Sequence, residues 1–408
     1  MIQAVGLDIG TSKVRCLIGE PSENGLITIV GIGEAESRGM RRGIVTTTET
    51  VAESIKKAVE EAERMSGLEI QMATVNLSGE HLKGENKNGV VAVAGAGREI
   101  TQEDVERAVE SASAMSLPAG WEIVDRLPQE FIIDGQDGII EPIGMTGSRL
   151  ESRVHCVISP SAGRQNTVKA IHNTGLEIEY MMLEPFAAAE SSLSDDDKEY
   201  GCAIVNIGAE ITSLMLFRRG AVLHTAVFPF GGMHFTQDIA IGLRVSIPEA
   251  EKIKVSYGCV AEFLMSPDEK QEIIEITPVG RNETRQLSKE ILCDIMQPRA
   301  IELLQHINDE IRNVSGQISS GVILTGGTSM TRGMVEIAEQ VFDAPTRIGF
   351  PEKDRFIGLT DKIQTPEWSV ACGLAYSSMR SQIRENRGIK SPTQKVAQWF
   401  ENFREKFR

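Results

Sequence analysis

Apolar positions near the start of the chain fall in a strand-turn-strand pattern. Val5 to Ile9 form a short apolar run that breaks at Gly10-Thr11-Ser12, and Val14, Cys16 and Ile18 then alternate with Lys13, Arg15 and Leu17. That pattern predicts a hairpin. The stretch from Cys202 to Gly220 has the same design, with Asn206-Ile207-Gly208 standing where Asp8-Ile9-Gly10 stood, 198 residues earlier. A repeat of this kind is what a duplicated unit predicts, and short repeats also arise by chance. Between the hairpins the period changes. "TTETVAESIKKAVEEAERMSG" places Val51, Ile55, Ala58, Val59 and Ala62 on one face of a capped amphipathic helix. Around His81 the composition shifts. "HLKGENKNGVVAVAGAGREI" reads as the first hairpin of an inserted segment, and "TQEDVERAVESASAMS" opens on a Thr-x-x-Asp that approximates a capping box and continues as a helix. Strand-like runs follow over Trp121–Asp134 and Arg153–Ser159. A long helix is expected from about Ser288 to Val314, with apolar positions at Ile291, Ile295, Leu303, Ile307 and Ile311.

Length and composition narrow the class. A chain of 408 residues, 41% hydrophobic and 25% charged, is an ordinary globular protein of two or more domains. A net charge of −16 argues against nucleic-acid binding. Residues 380–408 carry eight basic and three acidic side chains, net +5, so the preceding body carries −21. A basic tail on an acidic body implies a partner of its own for the tail. The six cysteines are scattered without a CxxC pair and read as buried thiols, and the histidines show no metal-ligand spacing. No signal peptide and no segment of about 20 apolar residues are expected.

Glycine-rich turns supply the candidate chemistry. "GVILTGGTSMTRGM" is an apolar strand running into Gly326-Gly327 and then a helix, and "FPFGGMHFTQDIA" sets Gly231-Gly232 before another helix. Turns of this kind expose backbone N–H groups to anions. Four such turns, two of them in related hairpins, point to a phosphate-containing ligand between two similar lobes.

These words carry a resemblance. "GLDIGTSKV", "ESRGMRRGIV", "VNLSGEH", "TQEDVERAV", "PQEFIIDGQDGIIEPIGMTGSRL", "AEKIKVSYG", "GVILTGGTSMTRGM" and the tail are similar to the FtsA family of bacterial cell-division proteins, within the actin, Hsp70 and sugar-kinase superfamily. The resemblance covers nearly the whole chain. It implies an α/β, actin-like, duplicated two-lobe fold with an inserted α/β subdomain and a C-terminal amphipathic helix. The implied division is 1–80 with 161–200 as the first lobe, 81–160 as the insert, and 201–245 with 319–379 as the second lobe. Residues 246–318 become the outer second-lobe block, 380–392 a linker and 393–408 the amphipathic helix.

It also implies ATP and Mg²⁺ between the lobes. Asp8 would hold Mg²⁺ through water; Gly10, Thr11 and Ser12 would face the phosphates; Lys13 would add charge, with Arg15 as a competitor. Asp8 has the alternative reading of a turn-capping carboxylate. Glu184, in "LEPFAAAE", would position the hydrolytic water, or else serves only as a helix-start carboxylate before Pro185. Asn206, Gly208 and Ala209 would form the second phosphate loop, with Gly231 and Gly232 nearby. Glu251 and Lys254, three apart on a helix, would bind the ribose and adenine, or else form a solvent-facing ion pair. Gly326, Gly327 and Thr328 would lie under the adenosine. The second loop departs from the superfamily's Asp-x-Gly-Gly-Gly-Thr-x-Asp: both acids are gone and Glu210 is added. That departure favours ATP binding with slow turnover. Catalysis on a small-molecule acceptor, as in a kinase of the same fold, is the alternative, as is a pilus-assembly actin homologue.

The tail "KVAQWFENFREKFR" has its own periodicity. At about 100° per residue, Val396, Trp399, Phe400, Phe403 and Phe407 share an arc of about 100°. Lys395, Lys406 and Arg404 flank that arc, and Glu401 and Glu405 lie opposite. Aromatics below, basic shoulders and acids away suit a helix lying in an anionic membrane surface; docking into a protein groove would use the same stripe. The resemblance adds the partners: the C-terminal tail of FtsZ on 246–318, other division proteins on 81–160, further copies of the chain in filaments, and lipid at the cytoplasmic face of the inner membrane at midcell.

Overall fold

The computed structural model describes residues 3–22, 25–94, 98–280, 284–314 and 318–386. The tail positions Lys395, Val396, Trp399, Phe400, Phe403, Arg404, Lys406 and Phe407 lie outside them.

The chain opens with an antiparallel meander, β1 (Ala4–Ile9), β2 (Lys13–Pro21) and β3 (Ile27–Glu36), followed by a small hairpin, β4 (Met40–Arg41) and β5 (Ile44–Val45). Helix α1 (Thr48–Ser66) starts after Thr47 and stops at Gly67, whose φ of 70° closes the last turn onto the Glu63 carbonyl. Its buried face contains all five residues of the expected stripe. Strand β6 (Met72–Leu77) then runs parallel to β1. The insert follows, with β7 (Lys83–Ala92), α2 (Gln102–Ser113), β8 (Trp121–Ile133), β9 (Gln136–Ile139) and β10 (Arg149–Pro160). The first lobe resumes with α3 (Ser161–His172), β11 (Glu177–Leu183) and α4 (Glu184–Ser192).

Helix α5 (Asp195–Tyr200) leads into a second meander, β12 (Cys202–Ile207), β13 (Thr212–Arg218) and β14 (Ala221–Phe228). Helices α6 (Gly232–Leu243), α7 (Ile247–Tyr257) and α8 (Pro267–Lys270), strands β15 (Ile273–Ile276) and β16 (Arg285–Ser288), and helix α9 (Lys289–Val314) build the outer block. Then come β17 (Val322–Thr325), α10 (Met334–Phe342), β18 (Thr346–Ile348), β19 (Phe356–Gly358), α11 (Thr360–Ile363) and α12 (Ser369–Asn386).

The duplication is visible in the sheets. The first lobe reads β11-β6-β1-β2-β3-β19 and the second reads β18-β17-β12-β13-β14, the same order with one extra edge strand. Strand β1 is antiparallel to β2 and parallel to β6, as β12 is to β13 and β17. Helix α12 packs between the lobes against α4, so closely that a Cβ on Gly373 would sit 1.7 Å from the Ala187 carbonyl oxygen. Gly373→Ala is therefore expected to lower stability by about 1–3 kcal/mol in a urea titration, because two backbones must separate.

Three expectations are corrected. The stretch after His81 is one strand rather than a hairpin: β7 pairs antiparallel with β10 from Lys83↔Ile158 to Ala92↔Arg149. The buried face of α9 runs through Leu292, Met296, Ala300, Leu303, Leu304, Ile307 and Ile311, leaving Ile291 exposed and Ile295 at the margin. Residues 380–386, assigned to a linker, continue α12.

The insert leaves the first lobe in sequence but docks on the edge strand of the second. Gln129 Nε2 donates to the Val222 carbonyl (2.8 Å) and Asn86 Nδ2 to the Leu223 carbonyl (3.1 Å). Buried His155 meets the Asn86 Oδ1 through Nδ1 (2.6 Å) and the Thr225 hydroxyl through Nε2 (2.9 Å). Since the amide oxygen can only accept, Nδ1 carries the proton and Nε2 accepts from Thr225. Burial, assisted by neighbouring His224, pushes the His155 pKa down to about 3 and keeps the ring neutral.

Candidate functional site

The two meander turns are built alike. Gly10 N–H donates to the Lys13 carbonyl and Gly208 N–H to the Ile211 carbonyl, each at 3.0 Å. Each turn carries the loop between the two strands at the heart of its sheet. The first is also held from β6, where buried Asn76 accepts the Ile9 N–H at 2.8 Å. Asn76 lies in the word "VNLSGEH", where nothing along the chain marks it for this loop. Only the parallel pairing of β1 with β6 brings it to the loop.

Asp8, at the end of β1, is 7% exposed, and Glu184, at the start of α4, is 6% exposed. The Ser213 hydroxyl donates to Glu184 Oε1 at 2.9 Å and the Asn206 side-chain amide donates to the same oxygen. The structure thus draws Asn206 and Glu184 into contact, with Ser213 as an addition that the sequence did not mark. Burial raises the Glu184 pKa to about 7; the Asn206 hydrogen bond opposes the rise and the Asp8 charge reinforces it. Burial likewise raises Asp8 to about 6, against the pull of Arg15. Two carboxyls kept partly protonated near neutrality suit a site that gains a cation, because the cation restores their ionised form. Among the described residues, no three His, Cys, Asp or Glu side chains cluster to hold a metal. Asp8 and Glu184 are the carboxyls at this site that could face a hydrated Mg²⁺, an ion that usually keeps several of its waters.

Of the two candidate cations, Arg15 sits directly opposite Asp8 in the β1–β2 register. Its side chain is 11% exposed and it pairs with Glu34 (2.8 Å) and Glu367 (3.2 Å). Lys13 is more exposed and also pairs with Glu34 (2.7 Å). Thr11 Oγ1 accepts the Gly43 N–H (3.2 Å), and Ser12 is exposed at the turn.

On the second lobe, the start of α6 is turned inward. Gly232 N–H donates to the Gly208 carbonyl (2.9 Å), Met233 N–H to the Ala209 carbonyl (2.7 Å), and Gly231 N–H to His234 Nδ1 (3.2 Å). These contacts buttress the Gly208-Ala209 loop. Thr328 Oγ1 donates to the same Gly208 carbonyl (3.1 Å), drawing the Gly326-Gly327 turn alongside. Gly326, with φ of 81°, has no room for a side chain, since a Cβ would stand 2.3 Å from Asn206 Oδ1. Glu251 and Lys254 do pair on one face of α7 (2.7 Å), but Lys254 Nζ is largely buried and also donates to the Gly232 carbonyl (3.1 Å) and the Thr236 hydroxyl (2.9 Å). That bonding joins the pair to the loop buttress and is more than a surface ion pair.

Elsewhere, a cavity of about 320 Å³ opens beside α9, lined in part by Glu262, Asp294, Pro298, Ile301 and Glu302. All six cysteines are buried free thiols. Among the described residues, no helix is long and apolar enough to cross a membrane.

Known proteins resemble the chain along nearly its full length. Residues 203–373 match the family described as cell division protein FtsA, and 79–158 match the SHS2 domain inserted in FtsA. The cell division protein FtsA of Pseudomonas aeruginosa is 39% identical over 380 residues, covering 93% of this chain and 89% of that one. The Neisseria meningitidis FtsA is 37% identical over 413 residues, covering 97% of each. Among solved structures, a PilM–PilN type IV pilus biogenesis complex superposes with a TM-score of 0.66 at 19% identity, over 92% of this chain and 98% of that one. MreB5 of Spiroplasma citri bound to ADP superposes with a TM-score of 0.57 at 13% identity, over 94% and 98%. The fold is actin-like, and the relatives at 33–39% identity carry one description throughout: the chain belongs to the FtsA family of cell-division proteins.

Proposed function

We propose that the protein is an ATP-binding, actin-like division adaptor that polymerises and ties FtsZ filaments to the cytoplasmic membrane at the septum. The observation that carries the nucleotide part is the gathering of Asp8, Glu184 and Asn206 beside two loops that are each closed by the same glycine N–H to carbonyl bond. The nucleotide found in the superposable MreB5 supports it. In this reading Mg²⁺-ATP lies between the loops, with Arg15 sharing the charge role given to Lys13. Hydrolysis is slow, because Asn206 stands where the superfamily has an acid and brings no negative charge to a metal-bound water. The outer block 246–318, with its cavity beside α9, receives the FtsZ tail, and 81–160 receives other division proteins. Residues 393–408 lie in the anionic surface. One tail holds lipid reversibly, and a filament multiplies tails into a firm hold.

The test is recruitment. With ATP, full-length protein is expected to carry FtsZ into the pellet of anionic liposomes, whereas a chain stopped at Pro392 binds FtsZ but leaves it in the supernatant. FtsZ pelleting equally well with both chains would end the adaptor reading. Rapid phosphorylation of a small acceptor would favour a kinase instead.

A further inference from the structure

The turn between β4 and β5 touches both phosphate loops at once. Arg42 (φ 48°) and Gly43 (φ 74°) are both left-handed, as a two-residue hairpin with the right strand twist requires. Gly43 N–H donates to Thr11 Oγ1 on the first loop (3.2 Å). Arg42 N–H donates to Glu210 Oε2 on the second (2.6 Å). The Arg42 guanidinium pairs with Glu80 where the chain enters the insert (3.1 Å), and Glu80 N–H returns to the Arg42 carbonyl (3.3 Å). Gly43 is enclosed so tightly that a Cβ would stand 2.9 Å from the Gly79 backbone and from Ile211 Cδ1.

We propose that Glu210 is an interlobe clasp. It is a positioning residue whose carboxylate holds the Arg42–Gly43 turn across the cleft and thereby sets Thr11 for the terminal phosphate. The inference rests on the nucleotide reading above and assigns a role to the acid that replaces the superfamily glycine. A free carboxylate on the second loop would repel a phosphate. Bonded to a backbone N–H, it is aimed at the opposite lobe, and the bond is of the strong, charge-assisted kind. The Thr11 hydroxyl accepts from Gly43, so its own proton remains available for a phosphate oxygen.

The test uses full-length wild type, Glu210→Ala and Glu210→Gln, read by hydrogen exchange over residues 40–45 and by calorimetric titration with Mg²⁺-ATP and Mg²⁺-ADP. Loss of a hydrogen bond to a charged group predicts exchange about 10- to 100-fold faster at Arg42 and Gly43 in Glu210→Ala. ATP affinity should drop about tenfold, with ADP affinity nearly unchanged. Gln keeps an acceptor oxygen and should restore the slow exchange and most of the ATP affinity. Unchanged exchange over the turn in Glu210→Ala would overturn the clasp, as would equal loosening by Ala and Gln with α1 protection intact. A wild type that binds no ATP, beside a loosened turn in Glu210→Ala, would discard the nucleotide reading and leave the clasp standing.

Discussion

Asp8→Ala weakens Mg²⁺-ATP binding by about 10- to 100-fold, the loss expected when a charged group gives up its contact to a metal-bound water. The effect should shrink towards none when the titration is repeated in EDTA, since the residue acts through the cation. An unaltered Mg²⁺-ATP isotherm would remove Asp8 from the site. pH supplies a second signature. The Asp8 pKa is raised to about 6 and that of Glu184 to about 7, both by burial. Folded protein therefore holds protons that the unfolded chain releases. The stability these two groups contribute is fully present below pH 4 and is lost as pH rises to about 7. Mg²⁺-ATP affinity should move the other way, increasing from pH 5.5 to 8 as the carboxyls ionise, with proton release detectable in buffers of different ionisation heat. Asp8→Asn should flatten the lower part of that rise.

Trp399→Glu or Phe403→Glu should release the protein from anionic liposomes. Each change removes a large apolar group worth about 2–3 kcal/mol of burial, and so about 30- to 150-fold in partitioning, and adds a charge that anionic lipid repels. Sedimentation with liposomes of phosphatidylglycerol reads the effect directly. Phe400→Leu, which keeps the stripe apolar, should cost far less. Wild-type sedimentation by either Glu variant would defeat the membrane reading of residues 393–408.

The parts of the fold that were legible in the sequence are those set by neighbours along the chain. The hairpins at Gly10 and Gly208 announced themselves by alternation and glycine, and α1 by its stripe and its Gly67 stop. Pairings across long separations were not legible. Strand β7 looked like half of a local hairpin because nothing near it says that its partner is β10, beyond α2 and β8. Ile291 looked like core because a 3.6-residue period fixes a stripe but not its edges; the neighbouring Leu292 is the buried one. Within the site, the loop glycines, Asp8 and Glu184 were readable as residue types in a known pattern. Asn76, Ser213 and the turn at Arg42 enter only through contacts 67, 29 and 168 residues long. Glu210 illustrates the limit: its identity signalled a departure, and only the bond to Arg42 tells which way the carboxylate points.

The first sheet is finished by chain that is made more than 300 residues after β3. Strand β19 closes it against β3, and Phe356, Trp368, Ala371 and Ala375 fill a core shared with Ala4, Leu17 and Ile27. Gln382 Nε2 then reaches back to the Gln3 carbonyl at 3.1 Å. A ribosome adding about 5–20 residues per second needs on the order of tens of seconds to travel from β3 to α12. Throughout that interval the nascent amino-terminal half keeps an open edge and an unroofed greasy face, whereas the sheet of the later half is complete as soon as β18 is made, just before β19. Synthesis thus reverses the order of completion: the half translated first matures second, and a holding chaperone would find its binding surface on the β2–β3 side.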